Sequence, residues 1–198
     1  MLHTVMNSVN EEVILVDEND RAIGSKEKLS AHVEGRLHRA FSIFVLNKEG
    51  QALVQQRSSA KYHSGMLWSN TCCGHPRPGE RIDAAAHRRL IEEMGFGCEL
   101  TVLTSLRYNL KVSEHLFEHE YNHIFIGRFD GKPSPNLEEV ADWKWLALEE
   151  LRNNALKRPS DYTSWLPSVT ERVLLSLSNQ QSEQFITRNC QTPIDMDG

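Results

Sequence analysis

The stretch from Trp68 to Pro76 constrains the fold of this chain more than any other part of the sequence. It contains a thiol pair, Cys72-Cys73, followed at once by Gly74 and His75. A thiol, an imidazole and a flexible backbone position therefore come together in one short turn. Two prolines and a glycine over 76–79 then delay the start of a helix.

Charged residues after this turn keep a fixed spacing from Gly74. Glu80 follows after five residues, and after seven more the chain reads Arg88-Arg89-Leu90-Ile91-Glu92-Glu93-Met94-Gly95. Apolar residues recur at helical intervals from Arg81 to Met94, and Gly95 fits the C-terminal cap of that helix. Charge on a helix commonly lines a solvated face, so the spacing from Gly74 is what favours a functional interpretation.

This spacing resembles the Nudix box, whose usual form has Glu where Arg89 stands. The altered box follows the Cys-Gly-His turn, and the remaining residues of the pattern occur in the order expected of type 1 isopentenyl-diphosphate isomerases: His32, His38, Tyr108, Glu118-x-Glu120 and Trp165. The chain is similar to that family over residues 10 to 175. The resemblance implies an α+β fold (an α/β sandwich), with a Nudix-like mixed β-sheet flanked by helices.

Apolar runs bounded by turn residues predict the strands of this sheet, and helical periodicity predicts its helices. Asn47 and Gly50 predict the turn of a β-hairpin. The predicted strands are Val13–Val16, Phe41–Leu46, Ala52–Arg57, Leu100–Tyr108, Phe117–Phe129 and Val140–Leu146, and the predicted helices are Arg81–Met94, Leu148–Ala155 and Val169–Leu177. We expect one domain over residues 1–180, then a mobile C-terminal tail over 181–198 where polarity rises.

Two pairs of residues are candidate metal ligands. His32 and His38 are too far apart for one helical face, so only an intervening bend could bring both to one ion. Glu118 and Glu120 share a strand face with Asn122, although such carboxylates are often merely solvated. The resemblance implies one metal site, formed by His32, His38, His75, Glu118 and Glu120. Three imidazoles and two carboxylates suit Mn²⁺ or Zn²⁺.

The resemblance also implies catalytic and substrate-binding residues. Cys73 and Glu120 would transfer protons, Tyr108 would hydrogen-bond near Glu120, and Trp165 would face a developing cation, although an isolated Trp is more often core packing. A second ion, Mg²⁺, would accompany the substrate diphosphate, with Glu93 and the Cys73 carbonyl as its protein ligands. The candidate diphosphate contacts are Lys28, Arg57, Lys61 and Arg89. No role is assigned to His3, His63, His87, His115, His119 or His123.

The reaction that this resemblance implies is the interconversion of isopentenyl diphosphate and dimethylallyl diphosphate by a 1,3 proton shift, which supplies isoprenoid biosynthesis. A Nudix pyrophosphohydrolase is one alternative, but Arg89 replaces a carboxylate that hydrolases commonly use for cations. A non-catalytic diphosphate-sensing scaffold is another, and the presence of both Cys73 and Glu120 disfavours it.

Charge and composition exclude several other classes. A formal net charge of -5 disfavours binding to nucleic acid or to a membrane surface. Four cysteines are too few for a disulfide framework in 198 residues, so we expect free thiols. The sequence predicts neither a signal peptide nor a membrane span, and hence a soluble cytoplasmic protein. It leaves open whether the protein is a monomer or a homodimer.

Overall fold

A computed structural model describes residues 11–189, with side chains over 11–180. Within this range the strands are β1 (Glu12–Val16), β2 (Ala22–Glu27), β3 (His38–Leu46), β4 (Gln51–Arg57), β5 (Trp68–Ser69), β6 (Cys72–Gly74), β7 (Leu100–Lys111), β8 (Phe117–Arg128) and β9 (Val140–Ala147). The helices are α1 (Lys28–Val33), α2 (Ile82–Met94), α3 (Leu148–Lys157) and α4 (Leu166–Asn189), and a 3-10 helix spans Pro159–Asp161. No helix within residues 11–189 is both long and apolar enough to cross a membrane.

Strand β3 lies at the centre of the sheet. It pairs in parallel with β8 along its whole length, and antiparallel with β6, where Ser42 faces Cys73. Residues 40–46 are all buried, as expected of an uninterrupted apolar run that is covered on both faces. Parallel and antiparallel pairs therefore meet in one mixed sheet, which confirms the predicted fold class.

Side chains alternate between two hydrophobic cores on either side of β3. Phe41, Ile43 and Val45 pack with the apolar face of α2. Phe44 packs in the other core with residues of α3 and α4. Because strand side chains alternate, even-numbered residues of β3 face the α4 side of the sheet and odd-numbered residues face α2.

Two local predictions hold only in part. The turn on Asn47 and Gly50 forms as predicted, but β3 and β4 then pair at Leu46 and Ala52 alone among the described residues, and β4 continues with β9 and β5. The edges of β3 are occupied by β6 and β8, so a full hairpin ladder has no room. Helix α4 runs to Asn189, well past the predicted end at Leu177, because polar residues such as Gln and Glu are themselves good helix formers. Residues 190–198 of the predicted tail lie outside the described residues, and its mobility stays a prediction.

Gly95 ends α2 in the left-handed conformation, with φ 72°, and its N–H donates to the Ile91 carbonyl at 3.0 Å. The backbone of residues 134–136 caps the same helix end: the Ser134 N–H donates to the Met94 carbonyl, and the Asn136 N–H donates to that of Glu93. A side chain at residue 95 would meet this capping backbone, because an added Cβ would lie 2.0 Å from the Ser134 carbonyl oxygen.

We expect Gly95→Ala to lower the free energy of unfolding by about 2–4 kcal/mol, since left-handed strain and a backbone overlap add together. Gly79→Ala is the matched control, because Gly79 also has a positive φ, 82°, but an added Cβ meets nothing within 4 Å. The control should lose only about 1 kcal/mol, from strain alone. Urea denaturation of both variants measures the difference, and equal losses would contradict the overlap.

Candidate active site and metal centre

Strand pairing gathers the predicted metal ligands on one side of the sheet. Glu118, Glu120 and Asn122 are buried on one face of β8, as alternation predicts. The parallel ladder sets His38 beside Glu120. His32 stands near the end of α1, and the chain then turns through Gly35, whose φ is 61°, before β3 begins at His38. This is the bend that the six-residue spacing required.

The five side chains form one compact cluster. His32 Nε2 lies 3.2 Å from Glu118 Oε2, and His75 Nε2 lies 3.0 Å from Glu120 Oε1. His38 Nε2 is 3.2 Å from His75 Nε2. One ligand atom from each of the five residues lies within 4.8 Å of all the others, so the set could hold a metal ion.

The hydrogen bonds of the imidazoles test whether this cluster fits a cation. His32 Nδ1 donates to the Lys28 carbonyl at 2.7 Å, and His38 Nδ1 donates to the Arg36 carbonyl at 2.8 Å. A neutral ring with its proton on Nδ1 presents the Nε2 lone pair to the centre. Burial, together with the charges of His75 and His32, lowers the pKa of His38 to about 3. The His32 and His38 rings are thus oriented as metal-ligating imidazoles usually are, and the donor set fits a divalent ion.

Cys73 faces the α4 side of the sheet, and its neighbour Cys72 is buried in the α2 core. The Cys73 thiol contacts Asn70 Oδ1 at 3.1 Å, and the Asn70 amide in turn donates to the Ile43 and Cys72 carbonyls. Burial raises the pKa of Cys73 to about 11, so the thiol keeps its proton at neutral pH. Cys72, Cys73 and Cys98 are free thiols, as predicted.

Glu120 is held by two further donors. The Tyr108 hydroxyl donates to Glu120 Oε2 at 2.5 Å, and Asn122 Nδ2 donates to the same oxygen at 3.0 Å. Tyr108, Cys73 and Trp165 pack against one core cluster on this side of the sheet. The negative charge of Glu120 contributes to the raised pKa of Cys73, although less than burial does. Cys73 pairs with Ser42 of β3 and Glu120 pairs with His38, so both predicted proton-transfer side chains extend from the same face of the sheet.

Trp165 is positioned by the segment that precedes α4. The Thr163 N–H donates to the Trp68 carbonyl at 3.0 Å, and the Thr163 hydroxyl lies 3.2 Å from that of Ser69. Trp165 is buried, and the Arg57 guanidinium lies 5.4 Å from its ring centroid. The ring is thus fixed next to a candidate diphosphate contact.

A second cluster of charged side chains surrounds Glu93 on α2. Lys61 Nζ lies 3.4 Å from Glu93 Oε1, Arg89 contacts the same oxygen, and Gln55 Nε2 donates to Glu93 Oε2 at 2.8 Å. Burial opposes ionisation of Glu93, but Lys61 and Arg89 outweigh it and lower its pKa to about 2. Lys28 pairs with Glu11 at 2.9 Å and lies 5.8 Å from the Tyr62 ring centroid. Of the four predicted diphosphate contacts, Lys61 and Arg89 are thus gathered around Glu93.

Sequence reasoning missed two residues of this region. Glu139 pairs with Lys61 and, at 3.2 Å, with Arg89. His63, to which no role was assigned, lies 3.1 Å from Glu118 Oε1. Both residues belong to irregular segments that no periodicity or motif marks, so nothing in the sequence indicated them.

The other histidines without an assigned role lie away from the cluster. His119 contacts the Gly35 carbonyl and His123 contacts Asp20, both from the face of β8 opposite Glu118. His87 contacts the Asp83 carbonyl within α2, and His115 is exposed. His3 lies outside the described residues.

The architecture is shared with solved structures. One is a protein from Deinococcus radiodurans, with a TM-score of 0.69 and 21% identity, covering 82% of this chain and 98% of that one. Another is a MutT protein from Methanosarcina mazei, with a TM-score of 0.57 and 17% identity, covering 69% and 91%. At these identities the similarity establishes the fold alone.

A family model described as the NUDIX domain matches residues 36–168, so the chain is a NUDIX-domain protein. Two relatives show which family of NUDIX-domain proteins the chain belongs to. Isopentenyl-diphosphate Delta-isomerase 2 of Photorhabdus laumondii is 48% identical over 177 residues, which is 89% of this chain and 98% of the relative. The isopentenyl-diphosphate Delta-isomerase of Burkholderia multivorans is 52% identical over 164 residues, which is 83% and 93%. The chain belongs to the isopentenyl-diphosphate Delta-isomerase family.

His75→Ala removes one imidazole from the cluster. Loss of an outer hydrogen-bond partner of a ligand lowers metal affinity by about 10- to 100-fold, and we expect this loss of a ligand to lower it further. Metal content after dialysis against a weak chelator measures the loss. His87→Ala is the matched control, since this histidine lies on α2 outside the cluster. Full metal occupancy in His75→Ala would remove His75 from the ligand set.

Proposed function

We propose that the chain interconverts isopentenyl diphosphate and dimethylallyl diphosphate through a metal-dependent 1,3 proton shift, and so supplies isoprenoid biosynthesis. Membership of the isomerase family supports the reaction. The observation that supports the residue assignment is the shared face of the sheet: the Cys73 thiol and the Glu120 carboxyl lie on one side of it, and Glu120 also belongs to the His/Glu cluster.

The chemical difficulty is the protonation of an alkene without help from a carbonyl group. One group must give a proton to the terminal alkene carbon, and another must take a proton from the methylene carbon next to the diphosphate-bearing carbon. A tertiary cation develops between these two transfers. Cys73 and Glu120 fill the two positions, and their roles exchange in the reverse direction. Since the thiol of Cys73 is protonated at neutral pH, it can act as the proton donor without prior activation.

Tyr108 and Asn122 orient Glu120 for this transfer. Both donate to Oε2, so the oxygen that faces them is fixed and the other oxygen, Oε1, lies beside His75. A group held this way loses little freedom in the transition state. The cluster of His32, His38, His75, Glu118 and Glu120 would hold Mn²⁺ or Zn²⁺, which supplies positive charge that anchors Glu120 and tunes its acidity.

Trp165 would stabilise the developing cation. The face of an indole can stabilise a desolvated cation by about 2 kcal/mol or more. Its buried position also excludes water, which would otherwise trap the cation.

The group around Glu93 would bind the diphosphate with its Mg²⁺. In the structure, Lys61 and Arg89 are paired with Glu93 and Glu139. Phosphate oxygens of the substrate would pair with the Lys61 and Arg89 side chains. Glu93 and the Cys73 carbonyl could then bind the Mg²⁺ that accompanies the substrate. Arg57 and Lys28 are the remaining proposed contacts.

Incubation with isopentenyl diphosphate in deuterated water, supplied with Mn²⁺ and Mg²⁺, tests the function. We expect dimethylallyl diphosphate that carries deuterium. A pyrophosphohydrolase would instead release inorganic phosphate or pyrophosphate, and a scaffold would leave the substrate unchanged. Either of those outcomes would overturn the proposal.

A further inference from the structure

We infer that His63 is a positioning residue of the metal site. Its Nε2–H donates to Glu118 from outside the ligand set, which orients that carboxylate and links the loop 58–67 to the metal centre. The inference rests on the metal site proposed above. It adds a residue that is not among the five ligands and connects that site with the loop that carries the diphosphate contact Lys61.

The two oxygens of Glu118 have different partners. Oε2 lies 3.2 Å from His32 Nε2, inside the cluster, and Oε1 lies 3.1 Å from His63 Nε2. The three side chains are almost completely buried. A buried carboxylate oxygen needs a donor, and His63 supplies one to the oxygen that the cluster does not use. Glu118 is thereby held with one oxygen toward the ligand set.

The hydrogen bonds of His63 separate it from the ligating histidines. His32 and His38 commit Nδ1 to backbone carbonyls, which leaves Nε2 for an ion. His63 Nδ1 instead lies 3.1 Å from the Ser64 hydroxyl, which can donate to it, so a neutral ring can keep its proton on Nε2 and donate that proton to Glu118. His63 therefore fits the outer donor that ligating carboxylates usually have.

His63 also contacts residues on the side of the site where the diphosphate is proposed to bind. The Arg57 guanidinium donates to the His63 and Ser64 carbonyls, each at 3.2 Å, and the His63 ring lies edge-on to Trp165 with centroids 6.1 Å apart. Lys61, two residues earlier, pairs with Glu93. Because one short loop thus touches Glu118, Trp165 and the group around Glu93, ordering of Glu118 by an ion should also order the loop.

The test compares wild type, His63→Leu and His63→Gln in Mn²⁺ titrations, with hydrogen exchange of residues 58–67 measured with and without Mn²⁺. We expect His63→Leu to bind Mn²⁺ about 10- to 100-fold more weakly, the usual cost of losing an outer partner. His63→Gln keeps an amide donor at a similar reach and should recover much of the affinity. Mn²⁺ should protect the loop in wild type and not in His63→Leu.

His123→Leu is the matched control, since His123 also contacts a carboxylate, that of Asp20, but on the opposite face of β8. If His63→Leu does not fold, His63→Asn replaces it, because its amide is too short to reach Glu118. Wild-type Mn²⁺ affinity in His63→Leu, or in His63→Asn where it is used instead, would overturn the inference and leave the metal site intact. Failure of wild type itself to bind Mn²⁺ would overturn the proposed metal site as well.

Discussion

Replacement of Cys73 by alanine is expected to lower kcat by at least about 10³-fold, within the range that a positioned proton-transfer group contributes. Alanine has no proton to give to the alkene. Folding should be retained, because Asn70 Oδ1, which loses the thiol, still accepts from the Ser69 hydroxyl at 3.1 Å. Metal content should also be unchanged, since the thiol is not in the cluster. Deuterium incorporation into dimethylallyl diphosphate measures turnover.

Cys72→Ala is the matched control for this variant. The two thiols are adjacent in the chain, but Cys72 faces the α2 core on the other side of the sheet. Its loss leaves a small cavity and costs about 1 kcal/mol of stability, without touching the site. Normal turnover in Cys73→Ala, or equal loss in both variants, would remove Cys73 from the mechanism.

The second large effect is expected from Glu120→Gln. Glutamine can still accept from Tyr108 and Asn122, but it can neither bind nor release the transferred proton, so kcat should again fall by about 10³-fold or more. Metal affinity should fall too, because one anionic ligand is lost. Turnover and metal binding must therefore be separated by titrating each variant with Mn²⁺.

Glu118→Gln makes that separation possible. It removes the other carboxylate of the cluster and should weaken Mn²⁺ binding to a similar extent. Because Glu118 transfers no proton in the proposed mechanism, saturating Mn²⁺ should restore much of its turnover, whereas Glu120→Gln should stay inactive. If both variants regain turnover at high Mn²⁺, Glu120 is only a metal ligand.

Much of the fold could be predicted because its signals are local. Apolar residues at helical intervals from Arg81 to Met94, with Gly95 as the cap, predicted α2, and strand alternation placed Glu118 and Glu120 on one face of β8. The partners of β3 could not be predicted in this way. The Asn47 and Gly50 turn favours pairing with the next strand, but β6 and β8, which lie further along the chain, occupy the edges of β3.

The same limit applies to the site. The five clustered residues were predicted only through the family resemblance, since no periodicity connects His32 with Glu118. His63 and Glu139 depend on where an irregular loop folds back, and neither carries a motif. Their contacts exist only once distant strands have paired, so a single sequence gives no signal for them.

The central position of β3 has a consequence for how the protein becomes active. His32 and Glu118 are 86 residues apart in the chain, and His75 and Glu120 are 45 apart. We expect contacts over such separations to close late in folding, because loop entropy must be lost before they form. Metal uptake should therefore report the final step of refolding: a chain diluted from urea should regain secondary structure first and capture Mn²⁺ only when β3 has joined β8.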